Sequence, residues 1–423
     1  MTENATDLEM GLRRAARRLV WVLVLLYFFA VLDRVNVGIA GLTMRRDLGL
    51  SAGAFGFGAG AFFLGYVLFE VPSNLLLERF GARAWLARIV VSWGLAAMAV
   101  ALARGAASFV ALRILLGIAE AGFFPGVIFY LTLWFPRSMR ARITALFLLG
   151  VPLSNALAAA LSSLLLGLGG TWGLAGWQWL FVLEGAPPVL LGLLVLALLP
   201  DRLVTARWLT PGQAQAIEAA LTAERPGREL SVRDALLGPM VWGLGVAYFG
   251  INVALTALGF WLPQVVHAIG PMSVLAAGLI SAAVLLPGAL AMVLWSRRSD
   301  RRGERVIHVS AAAFVAATGW AFCALSTNPV LSIALLTLAS AGTYATLAIF
   351  WTYPAALLSG RAAAGGIALI GAVGNLGGFA GPWAIGQLRQ ASGGFASSFV
   401  LVGACLLLTA AIAWTSGQRI FAA

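Results

Sequence analysis

Four ionisable side chains stand inside stretches that are otherwise apolar. They are Asp33 and Arg34 in FFAVLDRVNVGIA (28–40), and Arg113 and Glu120 in RILLGIAEAGFFPG (113–126). On insertion scales a charge at mid-membrane costs about 3 kcal/mol, so such residues line a wet cavity or a substrate path rather than face lipid. A guanidinium can fork a carboxylate, and a buried carboxyl group can carry a proton. Two acids and two bases sum to zero formal charge, the condition for a site to exist empty inside a membrane. An incoming monocarboxylate adds one negative charge, and protonation of Asp33 or Glu120 restores the balance. These are parts for the coupled passage of an organic anion and a proton. Arg113 and Glu120 lie seven residues apart, almost two helical turns, and share one helix face with an offset of about 20°. Asn36 adds a neutral hydrogen-bonding group beside Asp33 and Arg34. The plainer alternative is that Asp33–Arg34 is a packing ion pair and Arg113–Glu120 an intrabundle brace.

Other chemistries are poorly supplied. Two histidines, His267 and His308, and two cysteines, Cys323 and Cys405, are scattered along the chain. They form no cluster for a metal, and no nucleophile stands with a base as an enzyme requires. Neither metal nor other cofactor is expected. The net charge of +12 comes from a chain whose basic residues are all arginine. They fall in short segments between apolar runs, which encodes membrane orientation rather than nucleic-acid binding.

The elements that must hold these groups are membrane helices. Of 423 residues, 61% are hydrophobic and 10% charged, against roughly 45–50% and about 25% in a soluble domain. About twelve apolar runs are long enough to span a bilayer, divided six and six by the polar segment 201–234. The expected fold is an all-α membrane protein of twelve transmembrane helices in two pseudo-symmetric six-helix bundles. A tail, 1–18, precedes the first bundle, 19–199. A linker, 200–236, leads to the second bundle, 237–416, and a tail, 417–423. In the linker, Thr210 as N-cap and Pro211 at the first helical position predict a short surface helix. The first run ends in LDRVN without a cleavage site, so an uncleaved helix is expected. Arg13 to Arg18, Arg79, Arg83 and Arg297 to Arg305 fall on the side of the termini, with only Arg45, Arg46, Arg104 and Arg389 opposite. That asymmetry predicts a multi-pass inner-membrane protein with both termini cytoplasmic.

A weak repeat relates the two halves. ERFGAR (78–83) follows the second run and DRRGER (300–305) the eighth, as expected of a transporter built from two related bundles. Glu78, Arg79 and Arg83, with Asp300, Arg301 and Arg305, sit where charge pairs would close the cytoplasmic face.

In NLLLERFGAR (74–83) the chain resembles the major facilitator superfamily, whose loop after helix 2 reads G-x-x-x-D-R-x-G-x-R-R. It departs at Asn74, Glu78 and Ala84. LDRVN (32–36), FEVPSNLLLERFGAR (69–83), RILLGIAEAGFFPG (113–126) and GWQWLFVLEG (176–185) narrow the resemblance to the anion:cation symporters. The resemblance implies proton-coupled import of a sugar acid, a tartrate-like acid or an aromatic acid. It also implies that Arg113 binds the substrate carboxylate, that Asp33 and Glu120 carry protons, and that Arg34 assists. That family often has Tyr two residues before the Asp, where this chain has Val31. Tyr66, Asn155, Asn252, Trp351 and Asn375 are further candidate substrate contacts. The other functional reading is a proton-driven exporter of drugs or metabolites. The expected partners are a small organic anion, protons and the lipid bilayer, with the protein a monomer.

Overall fold

A backbone that cannot bond to water in lipid must satisfy its own polar groups, and every regular element among the described residues is helical. The computed structural model describes residues 3–223, 238–358 and 360–421. The side chains of residues 3–5, 78, 137, 138, 141, 142, 145, 148, 149 and 360–364 lie outside the described residues. The gate assignment of Glu78 and linker positions 224–236 therefore fall outside them too.

Helix α1 (Glu3–Ala15) passes through a π-helical turn, Ala16–Val20, into α2 (Trp21–Asp47). Then follow α3 (Ala52–Phe80), α4 (Ala82–Ala99), α5 (Ala106–Glu120), α6 (Phe123–Thr132), α7 (Arg137–Leu166) and α8 (Gly176–Leu198). The connecting segment holds α9 (Pro211–Thr222). Beyond it lie α10 (Pro239–Thr256), α11 (Leu262–Ile269), α12 (Val274–Arg302) and α13 (Val306–Leu325). The chain closes with α14 (Pro329–Phe350), α15 (Thr352–Leu357), α16 (Gly360–Ser392) and α17 (Ala396–Phe421). Eleven helical stretches are long and apolar enough to cross a membrane, and the apolar part of α7, Gly150–Leu166, supplies the twelfth. The protein is a multi-pass membrane protein.

Two of the expected continuous runs are broken at matching places in the halves, between α5 and α6 and between α14 and α15. At the first break Gly122 adopts φ +83°, and a side chain there would meet Ser73 Oγ at 2.5 Å. Glycine is thus needed both for the turn and for the close approach of α3. Between α10 and α11 a π-helical turn, Ala257–Trp261, precedes Pro263, whose missing N–H disrupts the regular ladder.

The tail expected at 1–18 is instead helical from Glu3, and α1 packs on α9. Arg14 Nη1 donates to Gln213 Oε1 at 3.3 Å. The Thr210 cap forms as expected, its hydroxyl accepting from the Gln213 N–H.

The halves meet through α3 on α16, α7 on α12, and α2 on the π-turn and α11. The close glycine approaches between halves fall in the half of the molecule away from the chain termini, here the distal end. Gly53 packs against Gln387 and Gln390, Gly60 against Phe379, and Gly278 against Ser163.

Candidate functional site

Consecutive residues on a helix point about 100° apart, and α2 uses this to send its acid and its base to different neighbours. Asp33 faces α4, where Trp93 Nε1 donates to Oδ2 at 2.9 Å. Its Oδ1 has no hydrogen-bond partner. Arg34 faces α5, and its Nε and Nη2 reach Glu120 Oε1 at 2.7 and 2.5 Å. The ion pair is therefore Arg34–Glu120, between helices, and neither local pair of the plainer alternative forms among the described residues. Glu120 is the last residue of α5, where the chain breaks before Gly122.

Arg113 is fully buried, with Nη2 donating to the Ala59 carbonyl at 3.1 Å. Its Nε and Nη1 have no partner. The Arg34 and Arg113 guanidiniums each lie 5.3 Å from the Phe62 ring centre, and Arg34 also lies 4.9 Å from that of Tyr66. Such rings offer cations a weak attraction that needs no counter-charge.

A central cavity of about 120 Å³ lies between the halves, lined by Tyr27, Arg34, Asn155, Tyr248, Asn252 and Asn375 among others. Arg34 is the one charged residue among its described lining. Asn155 Nδ2 donates across the halves to the Tyr344 hydroxyl at 2.6 Å, and its Oδ1 is unpartnered. Asn252 Nδ2 is turned back to the Tyr248 carbonyl at 3.1 Å.

Four expected contact residues thus line the cavity: Arg34, Asn155, Asn252 and Asn375. Asp33, Asn36, Tyr66, Arg113 and Glu120 lie outside its lining. Arg113, expected to meet the carboxylate directly, is sealed off, and Arg34 takes the cavity-facing place. Trp351 is held against the Tyr248 ring at 4.9 Å and the Phe350 ring at 5.6 Å, behind the lining.

Sequence reasoning underrated one acid. Glu184, not among the four charges first singled out, is 2% exposed. Ser162 Oγ donates to its Oε1 at 2.7 Å, and Oε2 has no partner. It lies within electrostatic reach of Asp33, with the Asn36 amide beside it. Three buried acids and two guanidiniums sum to a formal charge of minus one, not zero. The sign that could have found Glu184 is the same one that found Asp33: a lone acid in a long apolar run.

The loop residues expected to pair between halves bond within their own. Arg305 Nη1 meets Asp300 Oδ1 at 2.6 Å and Ser299 Oγ at 2.9 Å. The Arg83 backbone N–H donates to Asp201 Oδ1 at 3.1 Å, and its guanidinium to the Leu196 carbonyl. Arg79 lies over its neighbour Phe80, and Arg301 lies in the last turn of α12.

Residues 23–382 match the family model described as Major Facilitator Superfamily. A protein of Agrobacterium vitis described as "Putative tartrate transporter" is 46% identical over 408 residues, 96% of this chain and 91% of that one. The "Quinolone resistance transporter" of Acinetobacter baumannii is 40% identical, over 94% of this chain and 92% of that one. Among solved structures, the inward-facing, occupied form of a bacterial homologue of the human lysosomal transporter Spinster superposes with a TM-score of 0.79. It is 18% identical and covers 96% of this chain and 97% of that one. A D-xylose–proton symporter gives a TM-score of 0.75 at 17% identity, over 94% of this chain and 97% of that one.

Proposed function

The chain belongs to the major facilitator superfamily, and on that premise we propose that it imports a small organic carboxylate, tartrate or a similar hydroxy acid, together with protons. The Agrobacterium relatives support the substrate class. The observation that carries the mechanism is Arg34, which lines the cavity and is at the same time bound by the buried Glu120. A carboxylate entering the cavity competes for that guanidinium. Glu120, released from its partner at zero exposure, takes up a proton, because an unpaired charge there is too costly to keep. Asp33 and Glu184 hold the remaining protons. Asn155, Asn252 and Asn375 offer neutral donors and acceptors to the hydroxyl groups of the acid.

The bundles 19–199 and 237–416 act as the two rocking bodies, joined by 200–236, with both termini in the cytoplasm and the protein in the inner membrane. The closed distal end then corresponds to an inward-facing state. Charge pairs among Arg79, Arg83, Asp300, Arg301 and Arg305 belong to the opposite state, in which the cytoplasmic face closes.

Uptake of radiolabelled tartrate into proteoliposomes, with and without an inward proton gradient, tests this reading. Accumulation above the external concentration only with the gradient is expected. Gradient-independent equilibration, or none, would overturn it. The quinolone-named relative favours one competitor, proton-driven export. Expulsion of a quinolone against its gradient, with no tartrate uptake, would select that.

A further inference from the structure

At the distal end two arginines from opposite halves converge on a neutral group. Arg45 Nη1 on α2 donates to Gln264 Oε1 on α11 at 3.1 Å, and Arg389 Nη1 on α16 donates to the same oxygen at 3.0 Å. Arg389 also lies 4.3 Å from the Phe395 ring centre and 5.8 Å from that of Trp261. Among the described residues no carboxylate pairs with either arginine. The acid near Arg45 in sequence, Asp47, is taken by Arg46 and by the Trp177 indole. Arg45 Nε is buried without a partner. Beside Arg389 a cavity of about 360 Å³ opens, lined also by Ser326, Thr327 and Ser332.

Two like charges are thus drawn together by one amide oxygen, and that contact spans the seam between the halves. Hydrogen bonds from a guanidinium to an anion are roughly twice as strong as those to a neutral acceptor. A carboxylate reaching this point from outside should therefore displace the Gln264 oxygen. An anion bound to both guanidiniums ties α2 to α16 more strongly than the Gln264 oxygen does, and so favours the closed distal end. A ligand shifts such an equilibrium only by its difference in affinity for the two states. The difference here is that both guanidiniums reach one anion only when the distal end is closed.

We propose that Arg45 and Arg389 form an anion-docking site at the outer mouth, where a carboxylate replaces the Gln264 amide oxygen and strengthens the outer closure. The inference rests on the outside assignment of the distal end and on the organic-anion reading above.

The test is a pulsed-dipolar distance measurement on the full chain in lipid nanodiscs, with spin labels at Gly105→Cys and Gly394→Cys in a Cys323→Ala, Cys405→Ala background. A Cβ added at either glycine would meet no atom within 4 Å. Tartrate is the probe, and uncharged erythritol is the control. Tartrate should shift the distances towards the short, closed population, and erythritol should not; a lengthening with tartrate would overturn the proposal. The tartrate concentration for half the change should rise about tenfold in Arg45→Gln and in Arg389→Gln. Arg389→Lys, which keeps the charge and so guards against a folding artefact, should fall between. Gln264→Ala should open the distal end without ligand. Arg34→Gln, which disables the central site, should leave the tartrate response in place. Loss of the response in Arg34→Gln, or unchanged half-saturation in both arginine-to-glutamine variants, would overturn the proposal. A persisting response without tartrate uptake would sink the carrier reading alone.

Discussion

Arg34 stands in the cavity wall with its charge already committed to Glu120, so what replaces that commitment decides both binding and coupling. Lysine at this position keeps the charge but loses the planar fork. Arg34→Lys is expected to raise the KM for tartrate about tenfold or more, measured as initial uptake rate. Glu120→Gln frees Arg34 and removes a proton carrier. It is expected to abolish accumulation while tartrate exchange, measured by counterflow, persists. Wild-type accumulation in that variant would remove Glu120 from the coupling. At this scale the sequence made the four charges conspicuous, because ionisable residues in apolar runs have few structural excuses. It did not show who pairs with whom. The swap from local pairs to Arg34–Glu120 depends on the rotation of α2 against α5, and on the chain break that ends α5 at Glu120. The burial of Arg113 behind Phe62 was hidden for the same reason.

The helices themselves were largely legible, since lipid leaves the backbone little choice and apolar length is easy to see. The Thr210–Pro211 start of α9 was legible through its cap chemistry. The breaks after Glu120 and Phe350 were not, because they serve contacts between helices that no single run records. Two consequences belong to elements. A side chain at Gly56 would press on the Pro382 carbonyl and lie 3.2 Å from the Trp261 ring. Gly56→Val is therefore expected to disfavour distal closure, seen as a longer Gly105→Cys to Gly394→Cys distance without ligand. At the start of α13, outside the spans, Glu304 accepts from the Ile307 N–H at 2.6 Å, the His308 N–H at 3.2 Å and the His308 ring at 2.7 Å. Partial burial pushes its carboxyl up, but these donors outweigh that and hold it below the ordinary range. Its stabilisation is thus complete above the usual carboxylate range and is lost as pH falls through the lowered value. Glu304→Ala is expected to cost about 1 kcal/mol near neutrality. The gap in thermal midpoint should close towards pH 3, and a gap constant with pH would refute the cap.

Taken as a whole, the molecule sets three acids against two guanidiniums at its centre, and in the proposed mechanism protons balance them. Arg34 at the cavity wall and the buried Arg113 oppose the buried Asp33, Glu120 and Glu184, so on the proposed mechanism the empty carrier is neutral with one proton. A dianion is then neutral with all three acids protonated, and two protons enter with it. On that mechanism no net charge crosses in a complete cycle. Were one charge to move, a potential of 100 mV would change accumulation by about 2.3 kcal/mol, roughly 50-fold. Tartrate accumulation driven by a proton gradient is therefore expected to be the same with and without a potassium diffusion potential. The double variant Asp33→Asn, Glu184→Gln leaves Glu120 as the sole acid among the five. Its empty form carries one positive charge that no proton can remove, and its loaded form is neutral with one proton. Each cycle would then move one negative charge inward, so an inside-negative potential should oppose uptake in the double variant. Proteoliposome uptake under valinomycin-clamped potentials measures both. Voltage-sensitive wild-type uptake, or a voltage-indifferent double variant, would show that these five groups do not set the charge of the cycle.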